Sequence, residues 1–344
     1  MSLKRVAIGA NLREQAWGGG NAALMALKLS LINEGIEVFH DLGHSDIDII
    51  LLTEPRKYLK ISAFNHQNIT RYLLRKKNTL VVHRINECDE RKMTTGVNQQ
   101  LIRSNFCADH TVFVSSWLRE LLQSQGLTHL NNSVIRNGSD TTIFQSANYK
   151  LWRRDGPLKL VTHHWSSHWM KGFEIYKRLD ELLDKPEFKQ RYSFTYIGNL
   201  PDGFSFRNTT VMTPRYGKEL VSAIQANHVY LTASMNEPGG NHQNEGALLG
   251  LPILYLSSGC LPEYCKGYGV PFVENEFQEK LQELTTNYEG WVSRMESYPN
   301  TAKKMCEEYL NLFHAMVNRR GEYLNDRQLW KKPVTAFRTI LGLD

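Results

Sequence analysis

Two glutamates frame a glycine turn in the second half of the chain. Glu237 opens the run Glu237-Pro238-Gly239-Gly240-Asn241, and Glu245 follows in a helix that begins near His242. Glycines at such a turn let backbone N–H groups approach an anionic or hydroxyl-rich ligand, and the helix N-terminus adds partial positive charge. Glu237 stands at the mouth of this nest, while Glu245, about one helical turn inside, could accept hydrogen bonds from vicinal hydroxyls such as those of a ribose. A second chemical stretch, His163-His164-Trp165-Ser166-Ser167-His168-Trp169-Met170-Lys171-Gly172, follows an apolar strand. Its histidines read either as metal ligands or, with Trp165 and Trp169, as an aromatic pocket edge; no carboxylate or thiolate stands nearby at ligand spacing, so no metal is expected. The third stretch, His83-Arg84-Ile85-Asn86-Glu87-Cys88-Asp89, also follows an apolar strand. Asp46-Ile47-Asp48 has the spacing of a cation-binding pair, but it sits at the entry of an apolar strand and reads as surface charge.

The elements that must position these residues alternate between strands and helices. Val6-Ala7-Ile8, Ile36 to Phe39, Ile47 to Leu52, Thr79 to Val82 and His110 to Val114 have strand character, with helical stretches between them. A polar segment from Gln145 to Pro157 then reads as a linker. Beyond it Leu158 to Thr162, Tyr192 to Ile197, Thr209 to Met212, His228 to Thr232, Pro252 to Leu256 and Val270 to Val273 repeat the scheme. The expectation is α/β: residues 1–150 as one Rossmann-like domain, 157–325 as a second, and 326–344 as a helix returning to the first. Open sheets of this kind bind ligands at the carboxyl ends of their strands, so a cleft between the domains is the expected site.

The 344 residues and 41% apolar content support two cores and exclude a disordered or stapled miniprotein. No apolar run is long enough to span a bilayer and the first residues are charged, which reads as a soluble cytoplasmic protein. Five cysteines at irregular spacings are expected as free thiols. The formal charge of +6 is concentrated in residues 1–150, where 18 basic side chains meet 13 acidic ones; an anionic partner or an ordinary solvated surface accounts for this balance.

The register of Glu237, Pro238, Gly239 and Glu245 with Gly250-Leu251-Pro252, Gly259 and Pro262-Glu263 resembles the E-x7-E region of retaining GT-B glycosyltransferases, especially family 4. Trp17-Gly18-Gly19-Gly20 resembles that family's glycine loop. Val114-Ser115-Ser116-Trp117-Leu118 and Val134-Ile135-Arg136-Asn137-Gly138-Ser139-Asp140 resemble two further signatures in the expected order. The resemblance implies the GT-B fold, with a nucleotide diphosphate sugar as donor substrate, no cofactor and no metal. It implies donor contacts from Gly19, Gly20, Ser166, Lys171, Pro238, Gly239, Gly240, Asn241 and Glu245. Lys171-Gly172 matches the phosphate-binding segment, but Ser166 stands where the family has an arginine. Glu237, Lys171 and His83 are the implied catalytic group, His83 as a strand-end contact to the transferring sugar, and Arg84, Asn86 and Asp89 are candidates for orienting the acceptor. A saccharide or lipid-linked saccharide is the implied acceptor. The competing readings are a DNA-modifying glycosyltransferase acting on a hydroxylated base, a sugar-nucleotide epimerase, and a non-catalytic nucleotide-sugar binding protein.

Overall fold

The computed structural model describes residues 2–13 and 18–343, which form two parallel six-stranded sheets flanked by helices. Contacts group 2–13, 23–136 and 304–343 into one compact unit, and 18–22 with 137–303 into another.

The first unit contains β1 (Arg5–Ile8), β2 (Glu37–Phe39), β3 (Ile49–Leu52), β4 (Leu80–Ile85), β5 (His110–Phe113) and β6 (Asn132–Val134), ordered β2-β1-β3-β4-β5-β6. Parallel neighbours require crossover connections, which helices such as Gly19–Asn33, His66–Arg75 and Ser116–Ser124 supply. Helices on both faces bury β3, β4 and β5 along their whole length, and β3 accordingly reads as a continuous apolar run while β4 and β5 also bury the polar His83, Arg84, His110 and Thr111. On one face Ile8, Leu51 and Val82 pack with Leu27 and with Tyr309 and Phe313 of helix Ala302–Asn318. On the other, Ile50, Leu52 and Val81 pack with Ile69, Leu73, Leu329 and Ala336. Strand β6 and helix Val97–Ser104 add to the expected elements. The strand is three half-buried residues at the sheet edge, and the helix starts from a left-handed Gly96, so neither carries a strong periodic signal.

The second unit contains β7 (Leu158–His164), β8 (Tyr192–Gly198), β9 (Thr210–Met212), β10 (Val229–Thr232), β11 (Ile253–Leu256) and β12 (Gly269–Phe272), ordered β12-β11-β10-β7-β8-β9. The chain builds outward from β7 to β9 and then returns to β10 on the other side. This places the topological switch point between β7 and β10, where open α/β sheets hold ligands. Phe173, Tyr176 and Leu179 of helix Phe173–Leu182 fill the core with Leu160, Phe194 and Tyr196. Among the described residues, no helix is long and apolar enough to cross a membrane. All five cysteines are buried and none forms a disulfide.

Candidate functional site

The carboxyl ends of β7 and β10 carry the two charged residues singled out by the sequence. After β7 a single tight turn, Trp169–Lys171, ends at Gly172 with φ +104°. A side chain there would lie 2.7 Å from the Ala233 backbone, so this left-handed position also has to be glycine for space. The Met235 N–H donates to the Met170 carbonyl at 2.8 Å and ties this turn to the loop leaving β10. That loop is fixed from behind, because the Cys260 N–H donates to the Glu237 carbonyl at 2.8 Å. Gly259 lies so close that a Cβ would sit 2.4 Å from the Glu237 nitrogen. The outcome is an ion pair between Lys171 Nζ and Glu237 Oε2, formed by residues only 9% and 2% exposed.

Glu245 is held by a different partner. Its Oε2 lies 2.7 Å from His163 Nε2, and His163 Nδ1 lies 2.9 Å from the Tyr230 hydroxyl. Burial raises the Tyr230 pKa well above its ordinary value, so the phenol keeps its proton and donates to Nδ1. The histidine Nε2–H is thereby left to donate to the Glu245 carboxylate. His164, the next residue of β7, projects to the opposite face and meets the Tyr176 hydroxyl at 2.9 Å. Consecutive strand positions thus give the two histidines different hydrogen-bond partners. Among the described residues, no group of three or more His, Cys, Asp or Glu is arranged to hold a metal ion.

The glycine turn is braced through its carbonyls. Asn137 Nδ2 donates to the Gly239 oxygen at 2.6 Å and Gln243 Nε2 to the Gly240 oxygen at 2.6 Å. Asn241 Nδ2 reaches the Gly19 carbonyl at 3.0 Å, and Gly19 and Gly20 open helix Gly19–Asn33. Pro238 is buried beside Glu237, and the Ser166 hydroxyl accepts the His168 N–H at 3.3 Å. Trp17 lies outside the described residues. The sequence had marked Asn137 within a signature and His163 as one of three histidines, but it gave neither residue its supporting role. Tyr230 carried no signal beyond strand character.

The first-unit candidates are placed differently. His83 is the fourth residue of the six in β4 and is fully buried, which corrects the expectation of a histidine at a strand end. Its Nδ1 accepts from Asn105 Nδ2 at 3.1 Å, and its Nε2 has no hydrogen-bond partner among the described residues. Arg84 is buried as well, near the Tyr309 hydroxyl. Asn86, just past the strand, is half-buried. Asp89 is a helix cap: its carboxylate accepts the Val97 N–H at 3.0 Å, the Asn98 N–H at 2.9 Å and the Thr94 hydroxyl at 2.9 Å. These bonds hold its pKa below the usual carboxylate range against the burial that would raise it.

Buried histidines make the fold acid-sensitive. Burial pushes His83 down to about 3 and His110 down to about 4, with His129 nearby adding to both. A depressed folded pKa means that the unfolded chain binds protons first, so this stability is present above pH ~6.5 and is lost as pH falls toward the folded values. Moving from pH 7 to pH 5 should cost about 4 kcal/mol from these two side chains. Chemical denaturation at both pH values measures the loss, and equal midpoints would refute it.

No protein-family model matches the sequence, and no curated protein matches it. Solved structures do match the fold. A glycosyltransferase from Rickettsia africae ESF-5 superposes with a TM-score of 0.62 at 13% identity, covering 92% of this chain and 98% of the other. Sucrose-phosphate synthase from Thermosynechococcus elongatus gives 0.55 at 13% identity, over 95% and 99% of the two chains. The α,α-trehalose 6-phosphate synthase from Burkholderia multivorans gives 0.57 at 11% identity, over 87% and 77%. These similarities establish the GT-B type of α/β fold.

Proposed function

We propose that the chain is a retaining, metal-independent glycosyltransferase that moves a sugar from a nucleoside diphosphate sugar to a hydroxyl of a saccharide or glycolipid. The observation that carries this reading is the buried Lys171–Glu237 pair at the switch point of the second sheet. Breaking the anomeric C–O bond develops negative charge on the departing diphosphate and positive charge on the sugar ring. A buried ammonium stabilises the first and a buried carboxylate steadies the second, and both act more strongly there than in water. Lys171 turns from Glu237 toward the diphosphate when donor binds, with the Ser166 hydroxyl and the Gly239 and Gly240 N–H groups supplying hydrogen bonds where the family uses an arginine. Glu245, oriented by His163, accepts the ribose hydroxyls. The acceptor hydroxyl attacks from the face that the diphosphate leaves and gives its proton to the leaving phosphate. No protein nucleophile is required, and Glu237 positions the sugar.

The test is a thermal-shift panel of UDP, GDP, ADP, TDP and CMP and their sugar conjugates, followed by mass analysis of donor turnover. A bound nucleotide at about a hundredfold its Kd should stabilise by roughly 2.7 kcal/mol, an easily measured shift. One nucleotide is expected to stand out, and its sugar conjugate should transfer in an acceptor screen. No shift from any member would overturn the donor assignment. Release of an isomerised sugar nucleotide would indicate an epimerase instead.

A further inference from the structure

We propose that the carboxyl-terminal helix of the first unit is an interfacial element that docks on an anionic lipid surface. Helix Pro333–Leu341 turns Ala336 and Thr339 inward, and Ala336 joins the core cluster of Ile69, Tyr72 and Leu73. Its carboxyl end is held by Arg71, whose Nε donates to the Ile340 carbonyl at 3.1 Å. The opposite face is apolar yet open: Val334 is 72% exposed, Phe337 61% and Leu341 53%. Their spacing of three and four residues lines them along one stripe. Trp330 precedes the stripe and Leu343 follows it, both exposed. Single exposed apolar residues are ordinary, but a continuous stripe on a helix already anchored by its other face marks a contact surface.

Charge identifies the occupant. Arg71, Arg75, Lys77, Lys331, Lys332 and Arg338 are all exposed in the two segments that build this surface. None of them takes part in the ion pairs among the described residues, and the sequence has no acidic residue from 55 to 86 or from 327 to 343. A protein partner of mixed charge would leave such a one-signed rim largely unmatched. An apolar stripe with a tryptophan at its end, built from two segments whose charged side chains are all basic, complements anionic headgroups over an acyl layer. The helix belongs to the first unit and the Lys171–Glu237 pair to the second, and its test does not depend on sugar transfer.

The experiment is flotation of the whole chain with phosphatidylcholine vesicles and with vesicles containing about one-third phosphatidylglycerol. Binding is expected only to the anionic vesicles and should be released by high salt. Lys331→Gln with Lys332→Gln and Arg338→Gln should weaken it by about a hundredfold, at roughly fivefold per cation. Phe337→Ser with Val334→Ser should abolish it. Because these side chains are exposed, unchanged thermal unfolding of both variants checks that the fold is intact. Absence of flotation at low salt, or variants that float like the native chain, would overturn the proposal. So would self-association on sizing that Phe337→Ser dissolves, which would make the stripe an interface between two copies.

Discussion

Glu237→Gln should lower sugar transfer by about 10² to 10³-fold while nucleoside diphosphate binding stays within a few-fold of the native value. Glutamine keeps the volume of the side chain but removes the charge opposite Lys171, and both residues lie almost wholly out of water. An ammonium that loses its buried counter-charge costs about 3–5 kcal/mol, so the free variant should also melt earlier. A bound diphosphate returns negative charge to Lys171, and at about a hundredfold its Kd mass action should offset roughly 2.7 kcal/mol of that loss. Lys171→Met separates the roles. It strands the Glu237 carboxylate at a similar cost in stability, but a nucleoside diphosphate now finds no ammonium and should neither bind tightly nor restore the melting temperature. Melting curves of both variants with and without nucleotide, together with single-turnover transfer, make the comparison. Unchanged turnover in Glu237→Gln would remove Glu237 from the site, and equal rescue of both variants would remove Lys171 from the diphosphate.

The residues of this pair were legible in the sequence because each sits in a local pattern: Lys171 before a glycine that must be left-handed, Glu237 before a glycine turn. Their pairing was not. It joins positions 66 residues apart, and the His163–Glu245 contact joins positions 82 apart. Only the parallel order that sets β10 beside β7 brings those ends together. Strand existence was readable from apolar runs, whereas strand ends were not. β4 continues to Ile85 because helices cover both its faces, so the polar His83 and Arg84 mark no boundary. The cap made by Asp89 was hidden in the sequence for a related reason. Caps are recognised in sequence when the acceptor lies two or three residues before the N–H groups, and here the loop returns over eight and nine residues before it closes on Val97 and Asn98.

Arg327→Met should destabilise the first unit by about 3–5 kcal/mol. Its Nε donates to Asp109 Oδ1 at 2.7 Å and its Nη2 to Asp109 Oδ2 at 2.6 Å, with both side chains fully buried. Two further guanidinium hydrogens reach the Lys77 carbonyl at 2.8 Å and the Thr79 carbonyl at 2.6 Å, while Asp109 also accepts the Val81 N–H at 2.8 Å. One side chain thus fastens the terminal segment to the approach of β4 and to the residue before β5. Methionine strands a buried carboxylate and two carbonyls together. Lysine retains charge but not the planar fork, so Arg327→Lys should fall between the two. Adding Asp109→Leu to Arg327→Met removes the stranded charge and should recover part of the loss. Recovery stays incomplete because the Val81 N–H and the two carbonyls lose their partners. A drop in melting temperature of about 10 °C is expected for the single variant. Amide exchange across 328–341 should accelerate with it, since the segment would then be held only by the packing of Leu329 and Ala336 and by the Arg71 bond to the Ile340 carbonyl. Melting within about 2 °C of the native chain, with exchange unchanged, would mean that apolar packing rather than this ion pair fastens the terminus.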